Sequence, residues 1–270
     1  MYAFRYQRPV SVEAAIAQAR ADEDAKFLAG GMTLIPALKH RLASPTQLID
    51  VAGLPELQGC ERVSDASGVS WRVGAGLRHA RLAAHPEIAR DLPALAELAS
   101  GIGDPQVRAR GTLGGSIANN DPAADYPSAL LALDAVVMTD QRRIPAASFF
   151  LGMFTTALEA QEMILAVEFP VPRRAAYAKF PHPATGYAMA GVFVCETQAG
   201  TWRVAVTGVA AGVFRWEAAE SALACGDPVP ALVREDLLED MHAPGAYRAH
   251  LASVMLAKAF NHLSSGVSNP

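Results

Sequence analysis

The stretch Gly111-Thr112-Leu113-Gly114-Gly115-Ser116-Ile117-Ala118-Asn119-Asn120-Asp121-Pro122-Ala123-Ala124-Asp125-Tyr126 constrains this chain more than any other. Its three glycines lack the Cβ that keeps a ligand off the backbone. Thr112 and Ser116 place a hydroxyl on each side of the Gly-Gly pair. Asp121-Pro122 has the composition of a helix start, with a carboxylate to cap free amides and a proline that fits the first turn. The stretch therefore predicts ligand-accessible backbone running into a new helix.

A second stretch repeats the pattern: Leu28-Ala29-Gly30-Gly31-Met32-Thr33-Leu34-Ile35-Pro36. Lys26-Phe27-Leu28 reads as a short strand, Gly30-Gly31 as a turn, and Thr33 as a candidate helix cap. Strand, turn and helix start together can aim unpaired amides at an anion such as a pyrophosphate. Neither a G-x-G-x-x-G fingerprint nor a G-K-S/T loop occurs. One such loop alone reads as an ordinary tight turn. Two, each rich in hydroxyls and each leading to a helix, point to a ligand with phosphates.

At 270 residues the chain predicts two domains. A net charge of -4 gives no basic footprint for nucleic acid. No apolar run reaches the ~18 residues of a membrane span. Met1 to Tyr6 lack an apolar signal core, so the expected location is the cytoplasm. Cys60, Cys195 and Cys225 are far apart, which gives no local ligand spacing for zinc or an iron–sulfur cluster and no disulfide framework. They read as core or surface residues. The scattered histidines form no H-E-x-x-H, and no G-x-S-x-G elbow appears.

Along the chain, Ser11 opens an amphipathic helix with Val12, Ala15, Ile16 and Ala19 at helical spacing. Leu34, Ile35, Leu38 and Leu42 give the next helix an apolar face. Residues 47–51 and 70–76 read as strands, Pro86 to Leu98 as a helical region, and Gly101 to Arg108 as a loop whose Arg108, like Arg110, could offset phosphate charge. A helix is expected after Asp121, then a strand over 135–138, its return over 142–144, and another strand from Glu162 to Phe169. Phe149, Phe150, Phe154 and Leu158 read as packing side chains. Pro170-Val171-Pro172-Arg173-Arg174 is the expected boundary, dividing the chain into 1–172 and 173–270. Beyond it, 176–180, 188–197 and 201–210 predict an antiparallel meander. Helices are expected over 216–224, 231–241 and 247–263, with a loose tail from Ser264 to Pro270. Strands followed by helices make this part α+β.

Both motifs, A-G-G-x-S/T-L-x-P and the later G-T-I/L-G-G-x-I-A-N-x-D-P-x-x-D-x-P, resemble the FAD-binding medium subunit of molybdenum hydroxylases, of the carbon monoxide dehydrogenase and xanthine dehydrogenase types. The resemblance covers nearly the whole chain. It implies an α+β fold: a two-subdomain FAD-binding domain like that of vanillyl-alcohol oxidase, then a smaller domain with an antiparallel three-stranded sheet and helices. It implies FAD in this chain, a molybdenum cofactor in a large partner subunit and 2Fe–2S clusters in a small one, assembled as a dimer of heterotrimers. The implied cofactor-binding positions are Leu28, Ala29, Gly30, Gly31, Met32, Thr33, Leu34 and Ile35 in the first motif. In the second they are Thr112, Leu113, Gly114, Gly115, Ser116, Asn119 and Asp125. Ile102 and Ile164 match apolar contacts of the flavin ring, and Lys179 matches a flavin-contacting lysine. Tyr187 could shield one ring face by stacking. Met32 and Ser116 depart from the polar residue and the Asn of the family pattern, which leaves the backbone donors in place. Two other readings stay open: a self-contained FAD oxidase of the same broad fold, and a non-catalytic assembly subunit with degenerate loops.

Overall fold

The structure, a computed structural model, describes residues 1–66 and 68–265. Ser11 starts the first helix as its sequence implies. Its Oγ accepts from the Ala14 amide at 3.2 Å, satisfying a donor the helix leaves free. Helix α1 (Val12–Arg20) then buries Val12, Ala15 and Ala19. Strands β1 (Arg5–Gln7), β2 (Lys26–Leu28) and β3 (Gln47–Asp50) form a parallel sheet in the order β1-β3-β2. Helix α2 (Leu34–Lys39) follows β2 and stops before Leu42, which is 82% exposed. Arg41 takes φ 58°, and the Leu42 amide bonds back to Ala37 O at 2.9 Å, so the chain turns out of the helix before Leu42 can join its face.

A second sheet holds β4 (Cys60–Asp65), β5 (Gly68–Gly74), β6 (Val136–Thr139) and β7 (Arg143–Pro145). After the small ribbon β8 (Phe150–Gly152) and β9 (Thr155–Thr156), β10 (Ile164–Pro170) inserts between β5 and β6. The order is β4-β5-β10-β6-β7, antiparallel throughout.

Between β5 and β6 run α3 (His79–Ala83), α4 (Pro86–Asp91), α5 (Pro93–Ser100), α6 (Pro105–Arg110), α7 (Leu113–Asn119) and α8 (Tyr126–Ala132). The expected single helical region is split at Leu92, because Pro93 cannot continue α4 and instead starts α5. The expected loop before the central motif contains α6, capped by Asp104 Oδ1 on the Val107 amide at 2.8 Å. Asp121 does not open a helix. Its Oδ1 accepts from the Ala123 amide at 2.9 Å in a turn, and α8 begins only at Tyr126. The carbonyls that a helix would use are turned away: Pro122 O accepts from Gly208 N at 2.8 Å, and Ala124 O accepts from the Thr207 hydroxyl at 2.7 Å. Helix α9 (Ala146–Phe149) buries Phe149, whereas Phe154 has a positive φ and is exposed.

The third sheet is β11 (Arg174–Pro181), β12 (Ala188–Glu196), β13 (Trp202–Thr207) and β14 (Phe214–Arg215). It is an antiparallel meander in chain order. The fourth strand, two residues long, is too short to leave a period in the sequence. Helices α10 (Glu217–Cys225) and α11 (Gly245–Ser265) follow. No helix forms over 231–241. Val233 and Met241 are exposed, and the Leu238 amide bonds to Val209 O at 2.8 Å instead of to its own turn. Of the tail, Ser264 and Ser265 end α11, and 266–270 lie outside the described residues. Cys60 is half-buried, Cys195 buried and Cys225 exposed, all free.

Strand β12 is buried along its whole length. Alternation divides its side chains between two cores. Phe193 and Cys195 join Trp71, Leu95, Leu130 and Val167 in the core under the second sheet and its helices. Val192 and Val194 join Ala252, Met255 and Leu256 under α11. Phe193 has no exposed surface. Phe193→Ala is expected to cost roughly 3–5 kcal/mol of folding stability, read as a lower urea midpoint for the full chain.

Candidate functional site

The two glycine motifs meet. A Cβ on Gly30 would lie 2.3 Å from the Arg110 carbonyl oxygen and 2.8 Å from Gly111 Cα, so only glycine allows this backbone approach. Residues 77–79 run beside 111–113: His79 N donates to Gly111 O (3.0 Å) and Leu113 N to Leu77 O (3.1 Å). The first loop thus lies on the entry to α7.

The motifs differ in what their amides do. In the second, Gly114 N donates to Ala75 O at 2.8 Å and Ser116 N to Thr112 O at 3.0 Å. Thr112 caps the helix, with its Oγ1 accepting from Gly115 N at 3.1 Å. These amides are therefore satisfied, which corrects the expectation of an open loop: Gly114 and Gly115 sit in the first turn of α7. Gly114 is needed for packing, since its Cβ would lie 2.6 Å from Ala75 Cβ. In the first motif, the amides of Gly30, Gly31, Met32 and Thr33 have no acceptor among the described residues.

These amides lie at a cavity of about 840 Å³. Ala29, Gly30, Gly31, Met32, Thr33 and Leu34 line it on one side, and Thr112, Gly114, Gly115, Ser116 and Asn119 on another. Ile102 and Asp125 line it as well, with Ile164 from the start of β10 and Tyr187, 45% exposed, from the β11–β12 turn. Four expected residues stay outside the lining. Leu113 is fully buried in the core. Leu28 and Ile35 pack beneath Gly31, whose Cβ would lie 3.2 and 2.7 Å from their side chains. The Lys179 ammonium bonds to Gly101 O at 2.8 Å and Gly186 O at 3.1 Å, behind the residues that face the cavity.

The cavity's carboxylates are all engaged by the protein. Asp104 caps α6 and Asp121 holds its turn. Glu162 is held at about 2: burial pushes its carboxyl up, but Arg142, the Glu159 amide and Thr139 outweigh that. Asp125 pairs with Lys179 at 3.0 Å and accepts from the Tyr177 hydroxyl. Arg108 stays outside the cavity lining. Its Nη1 donates to Ile102 O (3.0 Å) and Gly103 O (2.8 Å), bracing that segment. Arg110 contributes its carbonyl to the contact with Gly30. Unpaired main-chain donors, with Lys26 beside them in the lining, are what this wall offers an anion.

Sequence reasoning missed His79. It lines the cavity, is buried, and holds its Nδ1 3.1 Å from the Tyr126 hydroxyl. Its neighbours Arg78 and Arg81 disguise it as part of a wet helix face, and only the pairing of 77–79 with 111–113 turns it inward.

Residues 2–172 match the family described as the FAD binding domain in molybdopterin dehydrogenase. The chain belongs to that family. It is 34% identical over 281 residues to the carbon monoxide dehydrogenase medium chain of Hydrogenophaga pseudoflava, with 96% of each chain covered. It is 32% identical over 274 residues to the nicotine 6-hydroxylase medium subunit of Paenarthrobacter nicotinovorans, with 95% of each covered. A solved structure of carbon monoxide dehydrogenase from Hydrogenophaga pseudoflava superposes with a TM-score of 0.86 at 33% identity, covering 99% of both chains.

FAD suits what this family member presents. Four unpaired amides in a row match a diphosphate, and the Gly30 contact leaves no side chain between them and the entry to α7. The relatives are dehydrogenase and hydroxylase subunits, and this chain is an oxidoreductase subunit of the same class. Among the described residues no helix is long and apolar enough to cross a membrane.

Burial, with a smaller contribution from Arg108, lowers the His79 pKa from 6.5 to about 4. The unfolded chain therefore binds a proton between these values that the folded chain does not. Stability is complete above pH 6.5 and is lost as pH falls towards 4, by on the order of 3 kcal/mol. His79→Gln is expected to flatten that part of a urea-midpoint-versus-pH curve.

Proposed function

We propose that this chain is the electron-transfer flavoprotein subunit of a molybdenum-containing hydroxylase or dehydrogenase. It takes electrons from 2Fe–2S clusters of a small partner subunit and passes them to an external acceptor. The organic substrate is oxidised at a molybdenum cofactor in a large partner subunit, within a dimer of heterotrimers in the cytoplasm. Relatives named as medium chain and medium subunit, matched over nearly their full length, support this reading. The observation that carries it is the row of unpaired amides from Gly30 to Thr33 in the lining of the cavity that α7 completes.

Bound FAD supplies the redox chemistry, exchanging electrons singly or in pairs. The protein's part is to hold and shield it. The amides of Gly30 to Thr33 take the diphosphate, and the side chains of Ser116 and Asn119 provide hydrogen bonds from α7. Ile102 and Ile164 give apolar edges, and Tyr187 adds a half-exposed ring to the lining. We divide the work between residues 1–172, which bind the cofactor, and residues 173–270, which contribute the turn bearing Tyr187.

The geometry selects the test. Gly114→Val would drive a side chain into the Ala75 backbone and is expected to damage folding itself. Ser116→Trp projects from α7 into the cavity and is expected to leave the fold intact while lowering FAD content at least tenfold. Flavin absorbance per protein, beside a far-ultraviolet circular dichroism spectrum, measures both. A folded Ser116→Trp chain with unchanged flavin, or a wild-type chain that takes up no FAD, contradicts the reading.

A further inference from the structure

We infer that His79 donates a hydrogen bond from Nε2 to a diphosphate bound at the seam of the two glycine motifs, and that Tyr126 is the positioning residue that fixes the tautomer able to do so. The identity of the ligand rests on the FAD reading above, but the donor and its tautomer do not.

His79 is only 3% exposed, yet half of its hydrogen-bonding capacity is unused. Nδ1 lies 3.1 Å from the Tyr126 hydroxyl. Nε2 has no hydrogen-bond partner among the described residues. The side-chain atoms that are fully enclosed there without a partner are Gln18 Oε1, Arg72 Nε, Arg203 Nε and Arg248 Nε. Nε2 of His79 is not one of them, so it keeps open surface. The space that His79 lines is the cavity.

Tyr126 decides where the ring carries its proton. It has no exposed surface, and its hydroxyl has no other partner among the described residues. Burial, with the Asp125 charge, pushes the hydroxyl pKa up, so the group keeps its hydrogen. An enclosed O–H needs an acceptor, and Nδ1 is the one within reach. A ring nitrogen accepts only when it is bare. Burial, with Arg108 adding to it, keeps the imidazole neutral at neutral pH, and a neutral ring holds one proton. That proton is on Nε2. The opposite tautomer would donate from Nδ1 and leave the Tyr126 O–H enclosed with no acceptor.

Gly111 sets this N–H beside the first loop. A Cβ on Gly111 would lie 2.6 Å from Nε2 and 2.8 Å from Cδ2 of His79, so only glycine leaves room for the ring. The same residue receives Gly30, whose Cβ would lie 2.8 Å from Gly111 Cα. Nε2 and the unpaired amides from Gly30 to Thr33 are therefore neighbours across one glycine, and their residues line one cavity. The imidazole adds a side-chain donor to a row of main-chain donors. It brings direction without charge, and the charge of the hydrogen bond comes from the phosphate oxygen.

The test uses the full chain with isotope-labelled histidine. Nitrogen NMR of the ligand-free protein at neutral pH is expected to show His79 with a bare Nδ1 and a protonated Nε2, and Y126F is expected to let the Nδ1–H form appear. Added FAD or inorganic pyrophosphate is expected to move the Nε2 resonance. H79L/Y126F removes the ring without leaving the tyrosine hydroxyl unpaired. By flavin fluorescence quenching it is expected to bind FAD about tenfold more weakly, while H79Q, which keeps an N–H, stays within about threefold of wild type. A wild-type ring protonated on Nδ1, or an Nε2 resonance that moves with neither ligand, overturns the inference. So does unchanged FAD affinity in an H79L/Y126F chain whose circular dichroism matches wild type. A wild type that takes up no FAD, but whose Nε2 resonance moves with pyrophosphate, upholds the donor and removes the FAD reading.

Discussion

The contact of Gly30 with the main chain at Arg110 and Gly111 is the constraint from which the site follows. Any side chain at position 30 would occupy the space of a carbonyl. With hydrogen there instead, the first loop settles on the entry to α7, and its amides are left beside the cavity with no acceptor among the described residues. Gly30 and Gly31 are half-exposed and Met32 and Thr33 exposed, so water satisfies these donors until an anion replaces it, and the cavity's own carboxylates do not answer them because each is engaged elsewhere.

The second glycine pair has a different task. Gly114 lets α7 approach the turn after β5 closely enough for its amide to reach Ala75 O. This seats the helix, and with it Ser116 and Asn119. One pair of glycines thus exposes backbone and the other buries it. Their compositions are nearly the same, and composition carries no information about which carbonyl will be within reach.

The third sheet closes the site through hydrogen bonds that break expected local structure. Thr207, Gly208 and Ala188 take the carbonyls of Pro122, Ala124 and Ala123. The segment that would have been a helical turn becomes a strap between α7 and α8, and it delivers Asp125 to Lys179. The same competition removed the helix over 231–241, where the Leu238 amide went to Val209. In both places a long-range acceptor or donor outbid the local one.

Much was legible in the residues alone. Ser11 before Val12, Ala15 and Ala19 sets a capped amphipathic helix, because cap and period are local properties. The apolar alternation from 176 to 207 sets a meander with turns where glycine and polar residues fall. The two glycine motifs announce a phosphate-bearing ligand, and their order announces the family. What the sequence could not hold was the partnership of groups distant along the chain. His79 turned inward, Arg108 became a brace, Lys179 paired with Asp125, and Leu113 joined the core, each according to what the fold brought within hydrogen-bonding or packing distance. Periodicity and capping depend on near neighbours and can be read from order; the destination of a charged or polar side chain depends on which acceptor arrives from elsewhere, and only the folded chain decides that.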